Sequence, residues 1–334
     1  MIQSRVLDVV RCWIKYVETK MLKTILSKTS IIEGNDSSGK NILITGASGM
    51  IGSALSRTLL TSGYNVYHLK RNKSEGPFYY LQDSDYMHLD PSISLHGIVN
   101  LAGQNISEKR WNGKVKKQIV DSRVKLTHAL SEAITKLPTY PKVFLSGSAI
   151  GYYGTDETQI FDENSPAGYD FLASLAAKWE AATEKVIQVG IRTVHLRFGL
   201  VLNPNGGVLK NLVLPLRLAC VGPIGSGRQI LSWISLRDTV NILKHLLEED
   251  RFIGPLNFVA DQPVSSRDFS QALARSIGRF RLPRIPSSLV RLMFGEMADA
   301  ALLPSANIQS IRMNELELQL ADPELDSALN KMYG

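Results

Sequence analysis

The residues with chemistry to offer fall into three groups. The first is Gly46-Ala47-Ser48-Gly49-Met50-Ile51-Gly52, which follows directly on the apolar run Ile42-Leu43-Ile44. Glycines at this spacing, between a strand and a helix, can cradle a diphosphate. Gly46 would let the chain turn, Gly49 would let the backbone approach the pyrophosphate, and Gly52 would let the helix pack close to the strand. The helix N-terminus adds unpaired N–H groups and a partial positive charge. The same spacing also suits an ordinary strand–helix turn, so the flanking elements matter. Ala54, Leu55, Leu59 and Leu60 supply the helical period behind it.

The second group decides which dinucleotide is read. A ribose 2′-hydroxyl is usually bound by an acid at the end of the second strand, roughly 20 residues beyond the glycines. Here that position holds Lys70 and Arg71. A carboxylate would repel a 2′-phosphate, whereas a guanidinium can pair with it through two N–H bonds. The sequence therefore predicts NADP(H) ahead of NAD(H), unless both are solvated loop charges. Asp90 is a candidate for the adenine end, or else a turn residue before Pro91. Leu101, Ala102 and Gly103 end a further apolar run and are expected against the cofactor.

The third group could act on a substrate. Ser148 could polarise a carbonyl, and Tyr152 or Tyr153 could donate a proton; strand-end packing is the alternative for all three. Arg110, Arg123, Arg197 and Arg228 could gather round an anionic small-molecule substrate, or each could be a surface or structural arginine. Trp111 and Trp233 suit either a pocket wall or a core. His195, inside a strand pattern, reads most simply as packed, and Asp238 as a helix cap.

These residues need a scaffold of alternating strands and helices. Strands are expected at 65–69, 86–89, 97–103, 142–146 and 191–198, besides the one before Gly46. Helices are expected at 115–137, stopped near Pro138, and at 172–189, closed by Gly190. The alternation predicts an α/β fold: a doubly wound parallel sheet that binds ligands at the carboxyl ends of its strands. Beyond Gly199 the pattern loosens into turns at 203–207 and 222–227. A helix is expected over 239–247, and Ser265 with Asp268 forms a capping box opening another that stops at Gly278. Residues 41–200 are expected as the NADP(H)-binding domain, and 201–334 mainly as a smaller substrate lobe with segments returning to the sheet.

Residues 1–40 precede this fold. Ile2, Val6, Val9, Trp13, Val17 and Met21 recur at helical steps, with Arg5, Arg11 and Lys15 between them. That amphipathic pattern suits a docked helix, a membrane-surface or partner contact, or a translation start at Met21; no secretory signal is expected, because Arg11 and Lys15 interrupt the apolar region. Residues 30–40 read as a linker.

Bulk properties exclude several classes. The net charge of +7 is not gathered into basic blocks interleaved with aromatics, so no nucleic-acid partner is predicted. Cys12 and Cys220 form neither a disulfide framework nor a zinc pattern, and the six histidines are scattered, so no metal is predicted. No apolar run is long enough to span a membrane; Lys210 and Arg217 interrupt the longest. A cytoplasmic location is expected.

The stretches just named, taken in order, resemble the short-chain dehydrogenase/reductase superfamily in its extended, NAD-dependent epimerase/dehydratase-like branch. Lys109-Arg110-Trp111, Asp121-Ser122-Arg123-Val124, Ser148 to Gly154, Asp170-Phe171-Leu172, Trp179-Glu180, Leu196-Arg197, Gly206-Gly207, Gly225 to Gln229, Ser232-Trp233-Ile234 and Gly295 to Ala298 are similar to a narrower group carrying a C-terminal domain of unknown function. The resemblance implies a Rossmann sheet with a capping lobe and an NADP(H)-dependent oxidoreductase or epimerase-like activity. It does not define a substrate. It also exposes departures. The superfamily's chemistry uses Tyr-x-x-x-Lys, but only Tyr16 has a lysine, Lys20, at that spacing. The expected helix instead carries Phe171 and Leu175, and Ser235 and Arg237 stand where the narrower group has a histidine and an acid. A free tyrosine without its lysine is roughly 0.1% ionised at neutral pH. A non-catalytic NADP(H)-binding regulatory or interaction protein is the alternative reading.

Overall fold

The computed structural model describes residues 39–210, 222–279 and 284–334. The amphipathic pattern over 2–21, most of the 30–40 linker, Cys12, Cys220 and the Tyr16–Lys20 pair lie outside these residues. At its centre is a parallel six-stranded sheet. In chain order its strands are β1 (Asn41–Thr45), β2 (Asn65–His68), β5 (Gly97–Asn100), β6 (Val143–Ala149), β8 (Arg192–Phe198) and β12 (Gly254–Phe258). The spatial order is β12-β8-β6-β5-β1-β2. Side chains of Ile42, Ile44, Val99, Leu145, Val194 and Leu196 are buried on one face, and those of Leu43, Ile98 and Phe144 on the other. Both faces are covered, which explains runs without polar alternation.

Helix α1 (Met50–Thr61) returns the chain from β1 to β2 and packs Leu55 and Leu59 into the core. A rod of α2 (Gly113–Val120) and α3 (Leu126–Ile134) joins β5 to β6, with a single π-helical turn at Asp121–Lys125 between them. After β6 come β7 (Asp156–Phe161), α4 (Phe171–Ala181) and α5 (Glu184–Gln188). Here the structure corrects the expected continuous helix over 172–189. Thr183 turns its hydroxyl to the Glu180 carbonyl at 2.7 Å, and the ladder restarts one residue later.

The expected third parallel strand is also corrected. Tyr86–Leu89 (β4) pairs antiparallel with Phe78–Leu81 (β3), an aromatic strand hidden behind Gly76-Pro77. This hairpin joins the end of β2 through the Lys70–Tyr79 bridge. The open edge of β8 is taken instead by β12, from beyond residue 250.

The remaining segments carry β9 (Leu200–Leu202), β10 (Ile230–Leu231), β11 (Trp233–Ser235), α6 (Leu236–Glu248), β13 (Val264–Ser265), α7 (Ser266–Ser276), α8 (Ser287–Phe294), β14 (Ala306–Ile308) and α9 (Leu325–Tyr333). The predicted Ser265–Asp268 box is present; Asp238, expected as a cap, stands in the first turn of α6, and the cap is Ser235. Ser265 accepts from the Asp268 N–H at 3.1 Å and donates to its carboxylate at 2.6 Å. Ser235 and Asp238 make the same reciprocal pair at 3.0 and 2.9 Å. Asp238 also accepts from the N–H groups of Ala321 and Asp322, tying the C-terminal segment to α6. Among the described residues no helix is long and apolar enough to cross a membrane.

Candidate functional site

The Gly46–Gly52 turn sits at the carboxyl end of β1, and its glycines have three separate reasons to be glycine. Gly46 has φ +65°, and a Cβ there would lie 2.5 Å from the Leu101 carbonyl oxygen. At Gly52 a Cβ would lie 2.4 Å from the Gly46 carbonyl oxygen and 2.8 Å from the Ala47 Cα. Those two are demanded by packing. Gly49 is different: its backbone is extended, with φ −72°, it is exposed, and a Cβ would meet only the Gly46 oxygen at 3.1 Å. Gly49 also caps α1 without any side-chain bond, and no acid stands in the first turn. The first N–H groups of α1 thus open beside exposed Ser48 and Gly49, a setting suited to an anion.

Behind the turn a buried network fixes the strand ends. The Thr45 hydroxyl donates to Asn100 Oδ1 at 2.7 Å and accepts from the N–H groups of Leu101 and Ala102 at 3.1 and 3.0 Å. Asn100 Nδ2 donates to Thr127 Oγ1 at 2.8 Å, which also accepts from the Trp179 indole at 3.0 Å. The Leu101–Gly103 segment is therefore held against Gly46. Met50 and Ile51 face inward, and the 203–207 turn lies on Met50: a Cβ at Gly206 would be 2.9 Å from its sulfur.

At the end of β2, Arg71 is exposed, while Lys70 is half-buried with its backbone bonded to Phe78 and Tyr80 of the hairpin. Asp90 accepts from the Ser92 N–H and hydroxyl at 2.9 and 2.7 Å, and these bonds hold its carboxyl below the usual range. This is the geometry of the turn that the sequence offered as its second option.

Ser148, Arg197 and Tyr153 come together at the ends of β6 and β8, around a residue that sequence reasoning left without a role. Glu180 Oε1 accepts from the Ser148 hydroxyl at 2.6 Å and from Arg197 Nε at 2.8 Å, and Oε2 accepts from Arg197 Nη2 at 2.9 Å. Arg197 Nη1 donates to the Tyr153 hydroxyl at 2.8 Å, which donates to Asn257 Oδ1 of β12 at 2.7 Å. Ser148, Tyr153 and Arg197 are 2%, 2% and 3% exposed, so this is an internal chain of bonds. Burial works against the Arg197 charge, yet the bonds to Glu180 hold its guanidinium above the ordinary value. Burial pushes the Tyr153 phenol up to about 12 despite Arg197 beside it. His195 lies 3.8 Å from Glu180 and 2.9 Å from Thr183 Oγ1, and burial lowers its pKa. The missed signal was the face Ala173, Ala176, Glu180: an acid on the buried side of a helix requires a buried partner.

Tyr152 is placed differently. Its ring lies under the Arg197 guanidinium, centroid to Cζ 3.6 Å, and edge-on to Tyr153 at 5.4 Å. The residue is half-buried, and its hydroxyl makes no hydrogen bond among the described residues. Phe171 and Leu175, where tyrosine and lysine were expected, instead pack in an apolar cluster with Trp111, Ile119 and Met297. Trp111 is edge-on to Phe171 at 5.3 Å, and Lys116 stands 4.9 Å over the Phe171 ring.

The remaining candidates are dispersed. Trp233 is fully buried among Leu202, Leu209 and Phe269, with its indole bonded to the Gln262 carbonyl at 3.1 Å. Arg110 is exposed and packs against Gly295, and Arg228 is exposed directly after the 222–227 loop. Arg123 stands on the π-turn against Gly103.

Comparison with known proteins gives this geometry a family. Residues 42–258, which span the whole sheet through β12, match the model of the NAD dependent epimerase/dehydratase family. The human epimerase family protein SDR39U1 is 35% identical over 294 residues, covering 87% of this chain and 99% of that protein. The Mycobacterium bovis epimerase family protein Mb2239 is 36% identical over 271 residues, 78% and 87% of the two chains. The crystal structure of human SDR39U1 (isoform 2) with NADPH superposes with a TM-score of 0.79 at 34% identity, over 88% of this chain and 99% of that one. A UDP-glucose 4-epimerase from Thermotoga maritima shares the fold at a TM-score of 0.69 and 17% identity. The chain belongs to the NAD dependent epimerase/dehydratase family.

Proposed function

We propose that this chain binds NADP(H) across the Gly46–Gly52 turn and transfers hydride between the nicotinamide and a small molecule, with Tyr152 as proton donor. The observation that carries the cofactor assignment is the contrast among the glycines. Gly46 and Gly52 are closed off by backbone, while Gly49 is open at an uncapped helix N-terminus. The NADPH in the human SDR39U1 structure supports the same assignment. Lys70 and Arg71 then meet the 2′-phosphate, and Leu101 to Gly103 line the cofactor's far side. Residues 201–334 mainly supply the substrate lobe.

Once bound, the cofactor supplies or accepts the hydride. The chain's own residues hold the reacting carbon within reach and deliver a proton. Of the two candidate tyrosines, Tyr152 is the one whose hydroxyl has no acceptor among the described residues, and the Arg197–Glu180 pair holds its ring. The test is stereospecifically deuterated NADPH incubated with sugar nucleotides and small carbonyl compounds. Deuterium should enter one product and be lost in Tyr152→Phe, with NADPH affinity unchanged.

One observation favours a second reading, a non-catalytic NADP(H)-binding protein. The Ser148 hydroxyl is committed to Glu180 inside the fold. Tight NADPH binding with no label transfer to any compound tested selects that reading.

A further inference from the structure

Two arginines lie at the sheet's carboxyl end, Arg197 buried and Arg123 half-buried, and only one of them is neutralised among the described residues. Arg197 has the two-pronged Glu180 carboxylate. Arg123 has no acid within ion-pairing distance among the described residues; only Nη1 donates, through long bonds to the Ile119 carbonyl at 3.3 Å and Ser122 Oγ at 3.5 Å. Nε and Nη2 donate to nothing among the described residues, although a guanidinium carries five N–H groups. Burial takes this guanidinium down to about 10, so it remains charged at neutral pH.

Its position is equally specific. The guanidinium lies 5.2 Å over the Trp179 ring and flat against Gly103, where a Cβ would be 3.0 Å from Cζ and 3.2 Å from Nε and Nη2. Gly103 follows Leu101 and Ala102, whose backbone abuts Gly46. Arg123 therefore borders the carboxyl ends of β1 and β5, where ligands of such sheets bind. It is carried there by the π-helical turn Asp121–Lys125, a distortion that inserts one residue into the rod and is frequent at functional sites. A desolvated charge without a partner costs stability; the cation–π contact recovers only part of it.

Resting on the cofactor reading above, we propose that Arg123 is the receptor for an oxyanion of the substrate, so that this protein acts on a small molecule bearing a carboxylate or phosphate group. The planar fork of free N–H donors fits two oxygens of such a group.

Three measurements on the full chain test this. First, Arg123→Met removes the charge and keeps the length. The melting temperature of ligand-free protein should rise by about 2–4 °C, whereas a fall in both Arg123→Met and Arg123→Gln would mark a structural arginine and overturn the proposal. Second, NADPH-saturated protein is melted with paired probes, succinate against succinamide and benzoate against benzamide, and with phenyl phosphate. The anions should raise the melting temperature and the amides should not. That difference should vanish in Arg123→Gln and persist, reduced, in Arg123→Lys. No discrimination in wild type, or discrimination surviving Arg123→Gln, overturns the proposal. Third, NADPH affinity in Arg123→Gln should stay within about threefold of wild type; a loss beyond about tenfold assigns the guanidinium to the cofactor's diphosphate instead and overturns the substrate assignment. Wild-type protein that binds no NADPH fails the cofactor reading, and the first comparison still decides the role of Arg123.

Discussion

Gly49→Val separates the phosphate cradle from the fold. Its Cβ meets only the Gly46 carbonyl oxygen, at 3.1 Å, and the backbone there is extended, so the fold must yield by a few tenths of an ångström. A cost of about 1 kcal/mol follows, a fall in melting temperature of about 2 °C. The branched side chain would nevertheless stand over the first N–H groups of α1. Losing one bond from those donors to an anion costs about 1.5–3 kcal/mol, which weakens NADPH binding by about tenfold to roughly 150-fold. Gly52→Ala is the opposite control. Its Cβ at 2.4 Å from a backbone oxygen forces α1 away from β1, so melting temperature should fall well before any direct contact with phosphate is at issue. Fluorescence titration with NADPH, alongside thermal melts, reads both effects. Wild-type affinity in a folded Gly49→Val protein would refute the cradle. An unfolded Gly49→Val protein would refute the packing argument for it.

Four further outcomes are expected. Wild-type protein should bind NADPH more tightly than NADH, and Arg71→Ala should remove most of that gap, about tenfold; equal wild-type affinities in the two titrations would count against the 2′-phosphate reading. Glu180→Gln leaves Arg197 buried without its carboxylate and should cost about 3–5 kcal/mol, a fall of roughly 6–10 °C by calorimetry. Tyr153→Phe breaks the link between Arg197 and Asn257; it should destabilise by about 1–3 kcal/mol in denaturant melts, whereas Tyr152→Phe should leave stability nearly unchanged. Burial, the largest cause, lowers the folded-state pKa of His195, as it does for His68 and His96. Their contribution to stability is therefore full above the unfolded value near 6.5 and is lost as pH falls through the lower folded value. Melting temperature should drop between pH 7 and 5, and less steeply in His195→Gln.

The β1–turn–α1 unit was legible because its signals are local. The Gly46–Gly52 spacing, the apolar strand before it and the helical period after it lie within twenty residues, and each constrains the backbone directly. The Ser265–Asp268 cap was readable for the same reason. The β3–β4 hairpin was misread because Tyr86–Leu89 looks the same whether it pairs inside a sheet or beside one; only its partner Phe78–Leu81 distinguishes the cases. The Glu180 hub was hidden by distance. Ser148 and Arg197 lie 32 and 17 residues from Glu180, and nothing in any one of them names the others. The π-turn under Arg123 leaves no trace in helical periodicity beyond a one-residue drift.

The place of β12 in the sheet has a consequence for biosynthesis. β8 ends at Phe198 and its neighbour ends at Phe258, so an edge of the central sheet stays unpaired while the intervening chain is translated. At about 5–20 residues per second, that interval lasts roughly 3–12 s. During it the nascent polypeptide presents β8, with its buried Val194 and Leu196, as a strand edge open to other chains. A transcript truncated before Gly254 would fix the protein in that state, so loss of the last quarter should yield aggregates cleared by quality control rather than a free cofactor-binding half.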